Sequence, residues 1–298
     1  MATLLNEIPA SYGKSLKGMP RRDGLDNALR TRSQMPEEPR KIRLLGMPIS
    51  VVTEAEAVNY VVASLDAKVG GWVITPNLDQ LRLFRKTADL RRMYEHAGLI
   101  VADGMPLIWA SRLQRTPLPE RVAGSSIINT LTAAAAQSGH SIYFLGGNPG
   151  AAEQAADELK LRNPDLRIAG HYCPPFGFDK NETEMEKIRQ LLSASQADIV
   201  YVGLGFPKQE RLIEQLRDTL PRAWFLGIGI SFSFLAGEVK RAPRWMQNVG
   251  LEWLHRMVQE PGRLFGRYVV HGIPFAIRLF SGALKTRFTA PEPCSTAP

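Results

Sequence analysis

Asp103 is the side chain in this sequence best placed to move a proton. It follows the apolar run LIVA and precedes Gly104 and a predicted helix, so its carboxylate is expected at the end of a buried strand. A partly desolvated carboxylate there could act as a general base and take a proton from an attacking hydroxyl group. The alternative is that Asp103 only caps the following helix, which is the more frequent role of a lone Asp-Gly pair.

Thr75 ends another predicted strand, GWVIT, and Asn77 follows it after a single proline. Their side chains could bind a sugar hydroxyl or a phosphate, or could merely shape the turn.

Glycine turns end two further predicted strands and carry Gly146, Gly203 and Gly205. In GLGFPKQE the turn leads into a helix, whose free backbone N–H groups and dipole favour an anion. Gln209 lies in the first turn of that helix and could reach a ligand. The turn alone is a weak signal, because many strand-to-helix connections contain glycine.

Three arginines near the C-terminus are spaced by seven and then four residues: Arg256, Arg263 and Arg267. If the helix continues through Pro261, this spacing places them on one face. Three guanidinium groups on one face would bind a diphosphate and stabilise a leaving group without a metal ion. The alternative is a solvated basic stripe that faces lipid headgroups, and both roles could coexist.

Several familiar sites are missing from the sequence. It contains no P-loop motif, no G-x-G-x-x-G fingerprint after a strand and no Asp-x-Asp pair, and its five histidines lack ligand spacing. The two cysteines, Cys173 and Cys294, are far apart and do not form a disulfide or zinc pattern. Neither a metal ion nor another cofactor is therefore expected.

The elements that must position these residues alternate between short apolar strands and amphipathic helices. This alternation predicts an α/β fold with a Rossmann-like, mostly parallel sheet and helices on both faces. Ligands bind at the carboxyl ends of such strands, which is where the polar residues and glycines above are found. Among the helices, TEAEAVNYVVASLDAK begins with Thr53 as N-cap and Glu56 at the capping-box position. Another single helix is predicted over LDQLRLFRKTADLRRMYEHA, closed by Gly98.

The chain of 298 residues carries a formal charge of +8, distributed unevenly. We predict a flexible basic leader (1–40), an α/β catalytic domain (41–235), a helical basic membrane-proximal appendage (236–285) and a disordered tail (286–298). The net charge is +4 over 1–44, −1 over 45–235 and +5 over 236–298. A nucleic-acid-binding domain would more often carry its charge across the folded body, so no nucleic acid partner is expected. Basic ends suit phospholipid or diphosphate groups, or are simply solvated.

The appendage combines Trp, Phe and Leu with Arg, with breaks expected at Pro261 and Pro274. Its longest uncharged run, YVVHGIPFAI, is far shorter than the roughly 20 residues of a membrane span. Its composition suits a helix in the membrane interface, and equally an amphipathic helix packed on the core. The N-terminal sequence lacks the pattern of a secretory signal, which favours a cytoplasmic protein.

Four segments, TPNLDQ, ADGMP, GLGFPKQE and APRWMQNVGLEWLHRMVQEPGRLFGRY, resemble the WecG/TagA/CpsF family, glycosyltransferase family 26. The resemblance covers roughly residues 43–270 in one continuous order. It implies an inverting, metal-independent glycosyltransferase that moves a sugar from a UDP donor to a polyprenyl-diphosphate-linked acceptor. Such enzymes lie peripherally on the inner face of the cytoplasmic membrane and build cell-surface polysaccharides or exopolysaccharides. Donor sugars in the family are N-acetylmannosamine, its uronic acid and glucose.

The resemblance also implies roles for individual residues. The proposed catalytic base of the family, an aspartate, corresponds to Asp103. Its substrate-binding side chains fall on the following positions: Thr75, Asn77, Gln209, Arg256 and Arg263, with Arg267 as the best candidate for a third arginine. Two other function classes stay open, a nicotinamide-dependent oxidoreductase and a non-enzymatic basic membrane or nucleic-acid binder. Against the oxidoreductase, the sequence lacks the third glycine and the acidic residue that a dinucleotide-binding fingerprint requires.

Overall fold

The computed structural model describes residues 36–248 and 250–289, apart from the side chains of Arg244, Asn248 and Arg263. Most of the predicted leader (1–40) and of the predicted tail (286–298) lies outside these residues. The division of the chain into four segments stays a prediction.

A parallel sheet of six strands forms the centre of the described chain, preceded by a short hairpin. The hairpin strands are Lys41–Leu44 (β1) and Met47–Ser50 (β2), which pair antiparallel. The sheet strands are Gly71–Ile74 (β3), Leu99–Ile100 (β4), Ser141–Gly146 (β5), Arg167–Tyr172 (β6), Ile199–Gly203 (β7) and Trp224–Gly227 (β8). Their order is β4-β3-β8-β7-β5-β6, and every neighbouring pair is parallel.

Helices connect and cover the strands. Those of the α/β part are Glu54–Asp66 (α1), Leu78–Lys86 (α2), Ala88–Glu95 (α3), Met105–Leu113 (α4), Gly124–Ser138 (α5), Ala151–Arg162 (α6), Glu182–Ser195 (α7), Lys208–Leu216 (α8) and Ser231–Leu235 (α9). Those of the appendage are Arg244–Asn248 (α10), Glu252–Gln259 (α11), Pro261–Phe265 (α12) and Ile273–Thr289 (α13), with a π-helical segment at Gly266–Gly272.

Both faces of the sheet are buried, which is why its strands read as continuous apolar runs rather than as alternating ones. Every residue of β5, β7 and β8 is buried. Neighbouring residues of β8 enter different core clusters, Phe225 on one face and Trp224 on the other. The predicted α/β fold is therefore confirmed. The predicted capping box is present too, since Thr53 accepts from the Glu56 N–H and Glu56 accepts from the Thr53 N–H.

The prediction of a single helix after β3 is wrong, because the chain forms two helices there. Thr87 has extended backbone angles (φ −118°, ψ 116°) and separates α2 from α3. The helical spacing of apolar residues continues across this break, so the pattern alone did not show it. Gly98 does not close the helix either. It lies just before β4, where a Cβ atom would come within 2.9 Å of the Trp224 ring, so glycine is needed there for close packing.

The appendage is helical, as predicted, and its helix breaks at Glu260 (φ −134°, ψ 62°), just before Pro261. No such break occurs at Pro274, because the π-helical segment leads directly into α13. Proline has no N–H to donate to the preceding turn, and the widened π turn is one way in which a helix accommodates it.

Helix α13 packs on the α/β part through one face. Phe275, Leu279 and Ala283 are buried in the same core cluster as the hairpin β1–β2. The opposite face carries exposed apolar side chains at Ile273, Ile277, Leu284 and Phe288. The alternative of an amphipathic helix packed on the core is thus observed for α13, and the membrane-interface alternative stays a prediction. Within the described part of the chain, no helix is long and apolar enough to cross a membrane.

Candidate active site

The strand-end residues predicted from the sequence lie along one edge of the sheet. Asp103 and Gly104 follow β4, Thr75 and Asn77 follow β3, and the glycine turns follow β7 and β5. Hydrogen bonds join the neighbouring ends: the Asp103 N–H donates to the Pro76 carbonyl at 2.9 Å. This edge therefore places the proposed base beside the end of β3, which carries Thr75 and Asn77, while the glycine turns lie further along the same edge.

Asp103 does not cap the helix that follows it. Gly104 is the N-cap of α4, and no side chain accepts a hydrogen bond from its first turn. The backbone of Gly104 has φ +134°, a conformation that glycine adopts without strain. The Asp103 carboxylate therefore does not cap α4, the helix that follows it, which removes the simpler of the two interpretations. It accepts a hydrogen bond from the Gly124 N–H at the start of α5 instead. Its side chain is 29% exposed and so remains accessible from the edge of the sheet.

Burial raises the pKa of Asp103 to about 6. The guanidinium groups of Arg121 and Arg241 and a hydrogen bond from the Gly124 N–H oppose this rise in pKa, whereas the carboxylate of Glu252 adds to it. A pKa near 6 keeps the carboxylate ionised at neutral pH while making it a stronger base than an ordinary aspartate.

Arg121 is a site residue that the sequence did not single out. The Val122 N–H donates to the Ala102 carbonyl at 2.9 Å, so the loop carrying Arg121 runs beside the end of β4. Its Nη1 lies 3.9 Å from Asp103 Oδ1 and donates a hydrogen bond to Glu252 Oε2 at 2.9 Å. The residue follows a proline-rich stretch, TPLPE, and no local pattern marks it as functional.

Glu252 was also missed, although it lies in one of the segments that carry the resemblance. It occupies the first turn of α11, where a carboxylate is favoured by the helix dipole. Its Oε1 lies 3.8 Å from Nε of Arg241, a second arginine whose guanidinium also donates to Ser125 and Ser126. Together Asp103, Arg121, Arg241 and Glu252 form what we call the Asp103 charge cluster.

Thr75 and Asn77 both lie close to Asp103. Thr75 is buried at the end of β3. Asn77 caps α2: its Oδ1 accepts from the N–H groups of Asp79 (3.1 Å) and Gln80 (3.2 Å). The turn-shaping role that the sequence left open is therefore real for Asn77, and it fixes the side chain beside Gly104.

Gln209 joins two strand ends rather than projecting into open space. Its Oε1 accepts from the N–H groups of Gly205 (3.2 Å) and Gly229 (3.0 Å), and its Nε2 donates to the Glu210 carboxylate at 2.9 Å. Gly227 lies so close that a Cβ atom there would come within 2.4 Å of the amide. In this structure Gln209 positions the turn after β7 against the turn after β8.

The two glycine turns are in direct contact. The Gly147 N–H donates to the Gly203 carbonyl at 2.6 Å. Gly146 and Gly205 have positive φ angles of 98° and 72°, which glycine tolerates best. These turns lie at the β5/β7 boundary, where the chain leaves the two strands in opposite directions across the sheet. Such a boundary is the usual place for a ligand in an open α/β sheet.

The three appendage arginines do not share one helix face. Arg256 lies on α11, Arg263 on α12 and Arg267 in the π-helical segment, because the helix breaks before Pro261. The condition for one shared face, a helix that continues through Pro261, is therefore not met. Arg267 pairs with Asp79 at the start of α2 (Nε to Oδ2, 2.8 Å), which places its charge next to the Asn77 cap.

Among residues 36–248 and 250–289, no three or more His, Cys, Asp or Glu side chains are grouped as metal ligands.

Two comparisons with known proteins match this chain. The model of the WecG/TagA/CpsF family of glycosyl transferases matches residues 42–289, which includes the sheet, the Asp103 charge cluster and the appendage. The chain is also 29% identical over 199 residues to a Bacillus subtilis (strain 168) protein, covering 67% of this chain and 75% of the relative. That relative is named N-acetylglucosaminyldiphosphoundecaprenol N-acetyl-beta-D-mannosaminyltransferase.

Proposed function

Because the chain belongs to the WecG/TagA/CpsF glycosyltransferase family, we propose that it transfers a sugar from a UDP donor to a polyprenyl-diphosphate-linked acceptor. The name of the Bacillus subtilis relative supports an acceptor of this type and makes N-acetylmannosamine the first donor sugar to test. The uronic acid of that sugar and glucose are the other two candidates. The product would enter a cell-surface polysaccharide or exopolysaccharide.

The position of Asp103 is the observation that carries this proposal. Its carboxylate follows β4, does not cap α4 and has a pKa raised to about 6. In the proposed step the carboxylate accepts the proton of the acceptor hydroxyl. The hydroxyl oxygen then bonds to the anomeric carbon on the face opposite UDP, while the bond from that carbon to the UDP oxygen breaks. The configuration at the anomeric carbon is thereby inverted.

Positive charge for the departing UDP is available from the appendage. Arg256 lies on α11, the helix that also carries Glu252 of the Asp103 charge cluster. We place the diphosphate between the glycine turns and the arginines Arg256 and Arg263, with Arg267 close by at Asp79. Guanidinium groups can stabilise a diphosphate leaving group without a metal ion. We therefore expect transfer to persist in the presence of EDTA.

The acceptor lipid is proposed to arrive from a membrane surface. The exposed apolar face of α13 lies beside Arg278 and Lys285, both exposed, and this combination is typical of a helix in the membrane interface. The enzyme would then work peripherally, on the cytoplasmic face.

The test is UDP release from the three donors with a synthetic polyprenyl-diphosphate-linked N-acetylglucosamine acceptor. We expect one of the three donors to release UDP, and to do so only when the acceptor is present. Asp103→Asn should still bind UDP in a calorimetric titration but transfer sugar about 10²–10⁴-fold more slowly, the usual cost of losing a general base. Near-normal turnover of Asp103→Asn would exclude Asp103 as the general base. If the acceptor did not increase UDP release from any of the three donors, the proposed reaction would be excluded.

A further inference from the structure

Glu252 connects the appendage to the proposed base through a single arginine. Its carboxylate accepts from Arg121 at 2.9 Å, and the same Nη1 atom of Arg121 lies 3.9 Å from Asp103. The side chains of Arg121 and Glu252 are each only 17% exposed, so water weakens their interaction little. An ion pair of this kind joins residues 131 positions apart in the chain.

We propose that Glu252 is a positioning residue for sugar transfer: it holds the Arg121 guanidinium beside Asp103 and thereby makes the geometry of the base depend on a docked α11. The role of Asp103 in this inference rests on the proposed function.

Apolar burial contributes little to holding α11 in place. None of its residues is buried, in contrast to Leu264 on α12 and Leu279 on α13, whose side chains are almost fully buried. The chain just before α11 approaches the α/β part closely, because a Cβ atom on Gly250 would come within 2.7 Å of Met105. The polar contacts of Glu252 are therefore a main connection between α11 and the edge of the sheet.

The charges of the cluster come from four separate parts of the chain. Asp103 faces Arg121 from the loop after α4, Arg241 from the segment after α9 and Glu252 from α11, together with the Gly124 N–H. Arg121 also faces Glu54 from α1. Removing the charge of Glu252 leaves Asp103 facing two arginines with one opposing carboxylate fewer. That change alone would let Asp103 give up its proton at lower pH. Arg121, however, loses the partner that fixes its position, and its lowering effect on the pKa of Asp103 is larger than the raising effect of Glu252. If Glu252 holds Arg121 in place, Asp103 should therefore give up its proton at higher pH.

Glu252→Gln tests the inference because it keeps the shape of the side chain and removes its charge. Two readouts do not depend on catalysis. One is amide hydrogen exchange of α11, which should become faster. The other is the titration of the Asp103 carboxyl carbon in the full chain, assigned by the signal lost in Asp103→Asn, whose midpoint should move to higher pH. A move to lower pH would mean that Arg121 keeps its position without Glu252 and would overturn the inference. Where transfer is measurable, kcat should fall at least tenfold.

Trp253→Ala is the matched control on the neighbouring residue. It removes the ring contact with Tyr268, at 5.9 Å between centroids, but leaves every charge of the cluster in place. Its Asp103 titration should keep the wild-type midpoint. An equal shift in both variants would mean that loosening of the helix, and not the charge of Glu252, sets the titration, and would overturn the inference.

The outcomes separate this inference from the proposed function. If hydrogen exchange of α11 and the Asp103 titration are both unchanged in Glu252→Gln, the inference is overturned, even where the wild-type chain transfers sugar as proposed. A wild-type chain that transfers no sugar overturns the proposed function, while the link between Glu252, Arg121 and Asp103 is still decided by exchange and titration.

Discussion

At the scale of single residues, the raised pKa of Asp103 has a consequence for stability. Its folded value of about 6 exceeds the ordinary aspartate value of 3.8, so the protonated form is favoured by folding. Stability is therefore lost as the pH rises from about 4 to about 6, by roughly 2–3 kcal/mol in total. Asp103→Asn avoids this loss, and we expect it to unfold at a higher temperature than the wild type at pH 7.5.

Thermal unfolding of both proteins at pH 3 and pH 7.5 checks this expectation. The difference in Tm should nearly disappear at pH 3, where Asp103 is mostly protonated in the folded and unfolded states alike. A difference of the same size at both pH values would show that the ionised carboxylate is not the cause.

The same pKa predicts the pH dependence of catalysis. Only the ionised carboxylate can accept a proton, so the rate should fall about tenfold per pH unit below about 6 and level off above it. The pH profile of kcat/KM measures this directly. Asp103→Asn should lose this acid limb, whereas a limb of unchanged position in that variant would assign the titration to another group.

Gln209 supplies a further prediction at this scale. Gln209→Ala leaves the N–H groups of Gly205 and Gly229 without their acceptor, and an unsatisfied buried group costs about 1–3 kcal/mol. We expect a lower Tm together with weaker UDP binding. Calorimetric titration with UDP and thermal unfolding decide between two roles, because a residue that only contacts the ligand would weaken binding and leave Tm unchanged.

The sequence was sufficient for the residues at strand ends but not for those that meet through packing. Asp103 follows an apolar run, and the general behaviour of parallel sheets already places it at the ligand edge. Arg121 and Glu252 come from a loop and from the appendage, and only the docking of α11 brings them to Asp103. No local pattern encodes such a distant pair.

At the scale of elements, α13 offers a comparison between its two faces. Leu279 is 1% exposed and Ile277 is 65% exposed, two residues apart on opposite sides of the helix. Leu279→Ala should destabilise the protein by about 2–5 kcal/mol through loss of buried contacts. Ile277→Ala should leave Tm nearly unchanged but weaken association with lipid vesicles. Equal effects of the two variants on Tm would contradict the assignment of faces.

Element boundaries show where the periodicity of apolar residues misleads. The pattern through α2 and α3 continues in phase across Thr87, so it predicted one helix where the chain forms two. Likewise, the spacing of Arg256, Arg263 and Arg267 implied one face only if the helix passed Pro261, and the break at Glu260 removes that condition. Backbone angles at a single residue decided both cases.

At the scale of the whole molecule, the charge of +8 is concentrated at the ends of the chain, and the appendage region carries +5. Each basic residue close to an anionic lipid surface contributes about 1 kcal/mol to binding, less at high salt. The proposed membrane face of α13 presents two of these charges, Arg278 and Lys285. Neutralising both with Arg278→Gln/Lys285→Gln should therefore cost about 2 kcal/mol, or roughly thirtyfold in vesicle affinity.

The measurement is sedimentation with vesicles containing anionic phospholipid over a series of salt concentrations. Wild-type binding should weaken steadily as salt increases, and the double variant should show a shallower dependence. Arg211→Gln/Arg222→Gln is the matched control, because both arginines are exposed on the α/β part and the change in net charge is the same. If the control lost as much affinity as the α13 variant, net charge alone would explain binding and α13 would have no special place at the membrane. Retained affinity in the control, with loss in the α13 variant, would show that the molecule binds lipid through α13.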